Sequence, residues 1–141
     1  MEFRHHPSRI WQHLLSMPFI YVMIVPMVAF DICMEIYHRI CFPLYGLRYV
    51  TRSEYIRIDR NKLSYLSWIE SLNCAYCGYA NGLMHYASAI AGATEKYWCG
   101  IKHLEDRGFR PPEHQKDFLA YGDEEAFKEF CKLHKQHDSK E

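Results

Sequence analysis

A stretch of 17 residues without a charged side chain, from Leu14 to Phe30, constrains this chain more than any other feature of its sequence. A helix rises about 1.5 Å per residue, so this stretch would form a helix about 25 Å long, slightly short of a hydrocarbon core of about 30 Å. Pro18 and Pro26 lie inside it. Proline is tolerated in membrane helices and kinks helices of soluble proteins. The stretch therefore predicts a hydrophobic N-terminal helix that is either membrane-associated or buried.

Three roles compete for this N-terminal segment. A signal peptide needs small residues at a cleavage site, and the sequence FDIC at residues 30–33 lacks them, so we expect the segment to be retained. A buried helix of a soluble bundle fits the prolines and the borderline length. A single membrane anchor, or a monotopic hairpin bent at Pro26, fits the positions of Trp11, Tyr21 and Tyr37, because these residue types favour membrane interfaces. We expect membrane association.

Basic residues are distributed unevenly on the two sides of the segment. Arg4 and Arg9 precede it, whereas five basic residues follow it, namely Arg48, Arg52, Arg57, Arg60 and Lys62. Because cytoplasmic loops of membrane proteins carry an excess of Lys and Arg, the C-terminal part is expected to face the cytoplasm. Cysteines stay reduced in that compartment.

Length and composition limit the number of domains that the chain can form and the classes of function that it can have. A chain of 141 residues accommodates one domain, or a membrane segment with a small domain. We predict a membrane-associated segment over residues 1–47 and a small helical domain over residues 48–141. Lys plus Arg and Asp plus Glu both number 17, so the net charge is zero, which excludes the whole chain as an electrostatic nucleic-acid binder. With 49% hydrophobic residues, the chain is expected to fold.

Three polar residues follow the charge-free stretch at helical spacing. Asp31, Glu35 and His38 fall on one face of a helix. A Glu-x-x-His pair is the local unit of di-iron carboxylate bundles, but such sites also need glutamates from other helices. We predict instead a polar stripe that faces solvent or lipid headgroups.

The rest of the chain predicts a mainly α fold. Apolar residues recur at helical spacing in three further stretches, and a short piece rich in β-branched and aromatic residues precedes them. The predicted bounds are an extended piece at Tyr49 to Ile58, a helix from Asp59 or Asn61 to about Ser71, a helix from Asn81 to about Leu104, and a final helix that opens at Gly122-Asp123.

The most informative motif has the pattern Cys-x2-Cys-x21-Cys-x3-His and consists of Cys74, Cys77, Cys99 and His103. Two thiolates in a tight knuckle can bind one ion, and a cysteine and a histidine four positions apart face the same side of a helix. Three cysteines and one histidine are the ligand set of closed structural zinc sites. The same residues suit an iron-sulfur cluster less well, because clusters usually take four thiolates.

Two further interpretations of the cysteines stay open. Cys74 and Cys77 could instead cycle between a dithiol and a disulfide, as a redox pair at a helix start with a lowered thiol pKa. In the other interpretation the cysteines are small packing residues and no metal binds. Cys33, Cys41 and Cys131 have no partner at ligand spacing, and we predict that they are buried in packing.

Two sequence motifs carry a resemblance to a known family. NCxYCxYANG and TExYWCxIKH, preceded by IDRxxLxYL and followed by YGDxE, resemble a family of small bacterial proteins with a hydrophobic N-terminal segment. The resemblance covers about Phe42 to Phe127. In the family pattern the third cysteine precedes a proline, whereas Gly100 follows Cys99 here. The resemblance supports the importance of the cysteine motif and implies no established activity.

These observations predict a membrane-associated protein with a Cys3His site, in which zinc most simply has a structural role. The alternatives are an iron-sulfur or dithiol electron-transfer protein and a metal-free interaction module at the membrane with an unidentified protein partner. The chain contains no phosphate-binding glycine loop, no Gly-x-Ser-x-Gly and no His-Glu-x-x-His, so it carries no catalytic signature.

Overall fold

The protein is mainly helical, as predicted, with 69% of its residues in helices. The computed structural model describes residues 7–138, and it describes side chains for residues 8–132. The chain divides into two compact units between Ala87 and Ser88. Within the described residues the helices are α1 (Ile10–Val22), α2 (Ile24–Leu44), α3 (Arg52–Tyr55), α4 (Trp68–Trp98) and α5 (Glu124–Asp138).

The hydrophobic N-terminal segment forms α1 and α2, which are separated by one residue. Met23 keeps helical dihedral angles, and the break lies one turn before Pro26. Proline has no N–H to donate to the carbonyl four residues earlier, which accounts for the interruption at this position. Taken together, residues 10–44 are long and apolar enough to cross a membrane. Gly46, with φ of +65°, follows the end of α2.

Helix α4 begins with a capping box and continues for 31 residues. The Ser67 hydroxyl accepts a hydrogen bond from the Glu70 N–H, and the Glu70 carboxylate accepts one from the Ser67 N–H at 3.0 Å. The sequence prediction of two helices, with the first starting at Asp59 or Asn61, is therefore wrong. The helix starts at Trp68 and runs without a break through the predicted gap between Ser71 and Asn81.

In the first unit, α1 and α2 run in the same direction as the first part of α4. Tyr76 donates a hydrogen bond to the Ile20 carbonyl at 2.8 Å, and Tyr79 reaches Asp31 further along both helices. The contacts of Tyr86 with α2 lie further along again. Because the helices are parallel, residues 45–67 have to lead the chain back along them, and we call these residues the return segment. Phe42, Leu83 and Tyr86 are fully buried among these elements; the exposed fraction of each is 1% or less.

Two glycines of α4 allow the return segment to pack directly on the helix. A Cβ atom at Gly78 would lie 2.7 Å from the Arg57 carbonyl oxygen, and one at Gly82 would lie 2.7 Å from that of Tyr55. Both contacts are with backbone atoms, which cannot move aside without shifting the segment. The glycines therefore serve close packing, and this contact offsets their low helix propensity.

Gly78→Ala is expected to lower the free energy of unfolding by about 1–3 kcal/mol, the usual cost of overpacking. The matched control is Gly108→Ala, because a Cβ atom there has no neighbour within 4 Å. Chemical denaturation followed by circular dichroism measures both. Equal stability of the two variants would show that the return segment does not depend on this contact.

The second unit is built on the end of α4 and the chain that follows it. Ile90 and Phe118 are its buried apolar side chains among the described residues, and Ile101 pairs with Leu119 in an isolated parallel bridge. The Asp123 carboxylate accepts a hydrogen bond from the Ala126 N–H at 2.9 Å, which caps α5. This confirms the predicted start of the final helix.

Candidate functional site

A cluster of charged and hydroxyl side chains lies between α2, α3 and α4 in the first unit. Arg52 on α3 donates two hydrogen bonds to the two carboxylate oxygens of Asp31, at 2.5 and 2.6 Å. The Tyr79 hydroxyl donates to the same carboxylate at 2.8 Å. The Asp31 side chain is 11% exposed and that of Arg52 is 38% exposed. This paired arrangement of guanidinium and carboxylate gives the strongest directional ion pair in proteins.

Glu35, one helical turn after Asp31, connects this ion pair to Tyr86. Its carboxylate accepts hydrogen bonds from Arg52 at 3.1 Å and from the Tyr86 hydroxyl at 3.0 Å. Arg39 also donates to Glu35, at 3.2 Å, but the Arg39 side chain is 76% exposed. Two carboxylates and two guanidinium groups thus balance their formal charges within the cluster.

His38 forms the buried end of the cluster and is only 2% exposed. Its Nε2 atom accepts a hydrogen bond from the Val50 N–H at 3.1 Å, and its Nδ1 atom lies 3.0 Å from the Tyr86 hydroxyl. The rings of Phe42 and Tyr49 pack edge-on against the imidazole, with centroid distances of 4.4 and 4.9 Å. Both ring nitrogens are therefore hydrogen-bonded inside an apolar enclosure.

The cluster shifts the pKa values of the three side chains that contact α2 from other elements. Burial, together with the hydrogen bond to Asp31, raises the pKa of Tyr79 to about 12. Burial and the hydrogen bond to Glu35 raise the pKa of Tyr86 to about 12. Its hydrogen bond to Asp31 raises the pKa of Arg52 above its usual value. Both tyrosines therefore stay protonated and Arg52 stays charged at physiological pH, which keeps each of them a hydrogen-bond donor.

These contacts correct the prediction of a solvent-facing polar stripe. Asp31 and His38 are buried, although they do share a helix face with Glu35 as the spacing predicts. The sequence reasoning missed Arg52, Tyr79 and Tyr86, which are the partners that allow these residues to be buried. Tyr79 and Tyr86 lie seven residues apart on α4, and this spacing was the available signal for a common face.

An open cleft of about 730 Å³ lies beside the cluster. Asp31, Glu35, His38 and Arg52 line it together with apolar residues of α2 such as Ile32. The polar groups on its wall bond to one another, so they hold three elements of the first unit together.

The predicted metal ligands lie at three places along the chain. Cys74 is half-buried and Cys77 is exposed, and both lie within α4 and not in a tight knuckle. Cys99 directly follows α4 and is exposed, and His103 lies in the loop beyond it. Among the side chains of residues 8–132, no group of three or more His, Cys, Asp or Glu residues is arranged to hold a metal ion. The Cys3His site stays a prediction.

The remaining cysteines differ in part from the prediction that they are buried packing residues. Cys33 is exposed, which shows that prediction to be wrong for this residue, whereas Cys41 and Cys131 are half-buried. All six cysteines of the chain are free thiols.

Helix α4 also carries a polar contact in the second unit. One carboxylate oxygen of Glu95 accepts a hydrogen bond from the Gln115 amide at 2.6 Å, and the other lies 2.6 Å from Nε2 of His114. The hydrogen bond from His114 is the main cause that lowers the pKa of Glu95. His103 lies 3.9 Å from the oxygen of Glu95 that bonds to Gln115. One of the predicted metal ligands thus lies near a carboxylate.

Helices α1 and α2 expose a long apolar surface, which we call the outer face. Only 6% of the most apolar 18 residues of this region are buried, unlike a core helix of a soluble protein. The exposed residues of the outer face are Trp11, Leu14, Leu15, Phe19, Val22, Val25, Val28, Ile32, Ile36, Ile40 and Leu44.

No family model, curated protein or solved structure matches this chain.

Proposed function

We propose that the protein is a monotopic membrane protein whose outer face lies in the surface of one leaflet, with the rest of the first unit in water. The observation that carries this proposal is the position of the charged return segment, which runs alongside the apolar helix. Membrane proteins that lie in the interface plane bury an apolar surface at the level of the headgroups and keep a charged surface in water. In this unit the return segment supplies the charged surface.

The outer face supplies the apolar area for such binding. Trp11 is 78% exposed, Leu15 is 72% exposed and Phe19 is 69% exposed. Exposed apolar patches of this extent are rare on monomeric soluble proteins and are typical of membrane or protein interfaces. Full burial of one large apolar side chain contributes about 1.5–3 kcal/mol, so a few of these residues suffice for stable binding.

The return segment argues against a helix that crosses the bilayer. Arg52 contacts Asp31 on α2, and Arg57 packs on Gly78, the neighbour of Tyr79. These arginines therefore lie at the same height along the helix axis as the end of the charge-free stretch. Six charged residues of the return segment are exposed, namely Arg48, Glu54, Arg57, Asp59, Arg60 and Lys62.

The end of the return segment lies beside α1 itself. Ser67, the last residue of the return segment, lines an apolar groove of about 620 Å³ together with Glu70 of α4 and with Leu14 and Met17 of α1. If α1 and α2 crossed the bilayer, residues between Arg48 and Glu70 would enter the membrane beside them. Each Lys, Arg or Asp at the bilayer centre costs about 2.5–3.5 kcal/mol, so this arrangement is strongly unfavourable.

We propose the cytoplasmic face of the membrane, and the cysteines support this choice. Six free thiols, of which three are exposed, support the cytoplasmic face, because disulfides form in oxidising compartments. This agrees with the orientation expected from the basic residues in the sequence.

Impermeant labelling on sealed vesicles tests the proposal. Two variants, Arg9→Cys before α1 and Arg48→Cys after α2, are made in a cysteine-free background whose circular dichroism matches that of the native chain. Each is added to preformed anionic vesicles, recovered by flotation and treated with a membrane-impermeant maleimide. We expect both positions to react fully without detergent. A position that reacts only after detergent is added would show that the helix crosses the bilayer, and a protein that does not float would refute membrane binding.

A second candidate function is metal binding through Cys74, Cys77, Cys99 and His103. Its support is that the thiols are free and that Cys77, Cys99 and His103 are exposed to solvent. One ion can take all four ligands only if α4 breaks between Cys77 and Cys99, because 22 residues of continuous helix span about 33 Å. In this proposal zinc has a structural role, and an iron-sulfur cluster or a dithiol pair is the alternative occupation of the same residues.

Elemental analysis with a visible spectrum, on protein purified anaerobically without added metal, tests the second candidate. We expect about one colourless zinc ion per chain, lost in Cys74→Ser and in Cys99→Ser. The matched control is Cys131→Ser, which leaves all four predicted ligands in place and should keep the metal. Iron with acid-labile sulfide would show that the residues hold an iron-sulfur cluster and not zinc. Absence of metal would reject both forms of metal binding, and thiol titration would then test the dithiol pair.

A further inference from the structure

His38 is held between a backbone donor and a hydroxyl, and this fixes its protonation. Because the Val50 N–H donates to Nε2, that nitrogen presents a lone pair and carries no proton. The Tyr86 hydroxyl donates its hydrogen to Glu35, so its oxygen is left to accept a hydrogen bond from Nδ1 of His38. The hydrogen of the neutral imidazole therefore lies on Nδ1, and the hydrogen bonds run in one direction from Val50 through His38 and Tyr86 to Glu35.

We propose that His38 is a pH-sensitive latch that holds the beginning of the return segment against α2 while its imidazole is neutral and releases that segment when the imidazole is protonated. A protonated imidazole carries hydrogens on both nitrogens. Its Nε2–H then points at the Val50 N–H, so one hydrogen bond is lost and two donors oppose each other. The hydrogen bond from Nδ1 to Tyr86 persists in both states, so the change is confined to Val50.

The charged and titratable neighbours of His38 come from three elements. Burial lowers the pKa of His38; of the charged groups on α2, Glu35 favours the charged imidazole and Arg39 disfavours it. The return segment contributes Tyr49, whose ring packs on the imidazole, and Arg52, which bonds to Glu35. From α4 comes Tyr86. The Glu35 charge is already shared with two arginines, so it does not replace the lost hydrogen bond to Val50.

Other contacts also hold the segment on which the latch acts. Leu47 donates a backbone hydrogen bond to Phe42, and the Tyr49 hydroxyl donates to the Arg39 carbonyl at 3.1 Å. Thr51 and Arg52 follow directly, and Arg52 forms the central ion pair with Asp31. Release of Val50 therefore loosens the backbone that positions Arg52 in the cluster.

Amide exchange and nitrogen NMR on the full chain in detergent micelles test the latch. As the pH falls far enough to protonate His38, we expect the protection factor of the Val50 amide to drop at least tenfold. The Leu83 amide of the buried α4 face should keep its protection and show that the fold is intact. Ring nitrogen shifts should place the neutral hydrogen on Nδ1.

Two variants separate the latch from a general pH effect. His38→Gln offers an amide oxygen near the Nε2 position and does not titrate, so the pH response of Val50 should vanish. His85→Gln changes an exposed histidine of the same unit and should leave that response unchanged. Constant Val50 protection across the titration, a neutral hydrogen on Nε2, or an undiminished response in His38→Gln would each overturn the proposal.

Discussion

A full-length Leu15→Glu, Phe19→Glu variant is expected to stay in solution when the native chain floats with anionic vesicles. Both side chains lie on the outer face, and about 70% of each is exposed in the folded chain. Removal of each large apolar side chain from the interface makes the free energy of membrane binding less favourable by about 1.5–3 kcal/mol. The partition coefficient of the double variant should therefore fall at least about 100-fold. Vesicle flotation at several lipid concentrations measures this change.

The matched control for this variant carries the same charges on exposed aromatic residues elsewhere. Tyr65 is 76% exposed and Tyr121 is 62% exposed, and neither belongs to α1 or α2. The Tyr65→Glu, Tyr121→Glu chain should bind vesicles within about threefold of the native chain, a shift of less than 1 kcal/mol. Equal loss of binding in both variants would mean that added negative charge, and not the outer face, determines the partition.

Arg52→Met is expected to lower the free energy of unfolding by about 3 kcal/mol. The substitution leaves Asp31 buried without its guanidinium partner, and the loss of one member of a buried pair usually costs about 3–5 kcal/mol. The lower end of that range applies because 38% of the Arg52 side chain is exposed. Urea denaturation in detergent micelles, followed by circular dichroism, measures the change.

Arg39→Met provides the control because it makes the same substitution at a second guanidinium partner of Glu35. The Arg39 side chain is 76% exposed, and exposed ion pairs contribute at most about 1 kcal/mol. A Tyr79→Phe change should cost about 1 kcal/mol, since it removes one donor from Asp31 and leaves the guanidinium in place. If Arg52→Met and Arg39→Met were equally stable, the central ion pair would not organise the first unit.

The sequence was informative where the structure depends on local spacing. The charge-free stretch predicted the apolar helix, and the 3–4 spacing placed Asp31, Glu35 and His38 on one face of it. Gly122-Asp123 predicted the start of α5 because a cap acts on the next three residues. In each case the residues that determine the structure lie within a few positions of each other.

The role of the polar face could not be predicted in the same way. Asp31 contacts residues that follow it by 21 and 48 positions, and Glu35 contacts one that follows it by 51. A pattern over one helix carries no information on such partners, so burial of a carboxylate looked unfavourable. The arginine and the two tyrosines that compensate for that burial are visible only in the folded chain.

The length of α4 was also misjudged, for a related reason. Gly78 and Gly82 lower helix propensity, but in the folded chain they allow the backbone of the return segment to pack closely on α4. The start signal was nevertheless present in the sequence as Ser67-x-x-Glu70, the pattern of a capping box. Recognition of that pattern would have placed the start of α4 within one residue.

The parallel course of α2 and α4 has a consequence for biosynthesis. The hydrogen bonds of Tyr79 and Tyr86 to α2 join residues about 50 positions apart, so the cluster cannot close until Tyr86 has left the ribosome. Until then Asp31 and Glu35 lack their tyrosine partners, while the apolar helix has already emerged. Contacts of such long range form slowly, and exposed apolar surface promotes aggregation in the meantime. Early capture of the nascent helix by a lipid surface would protect it during this interval, and the charged side of the unit would then assemble on a helix that is already in place.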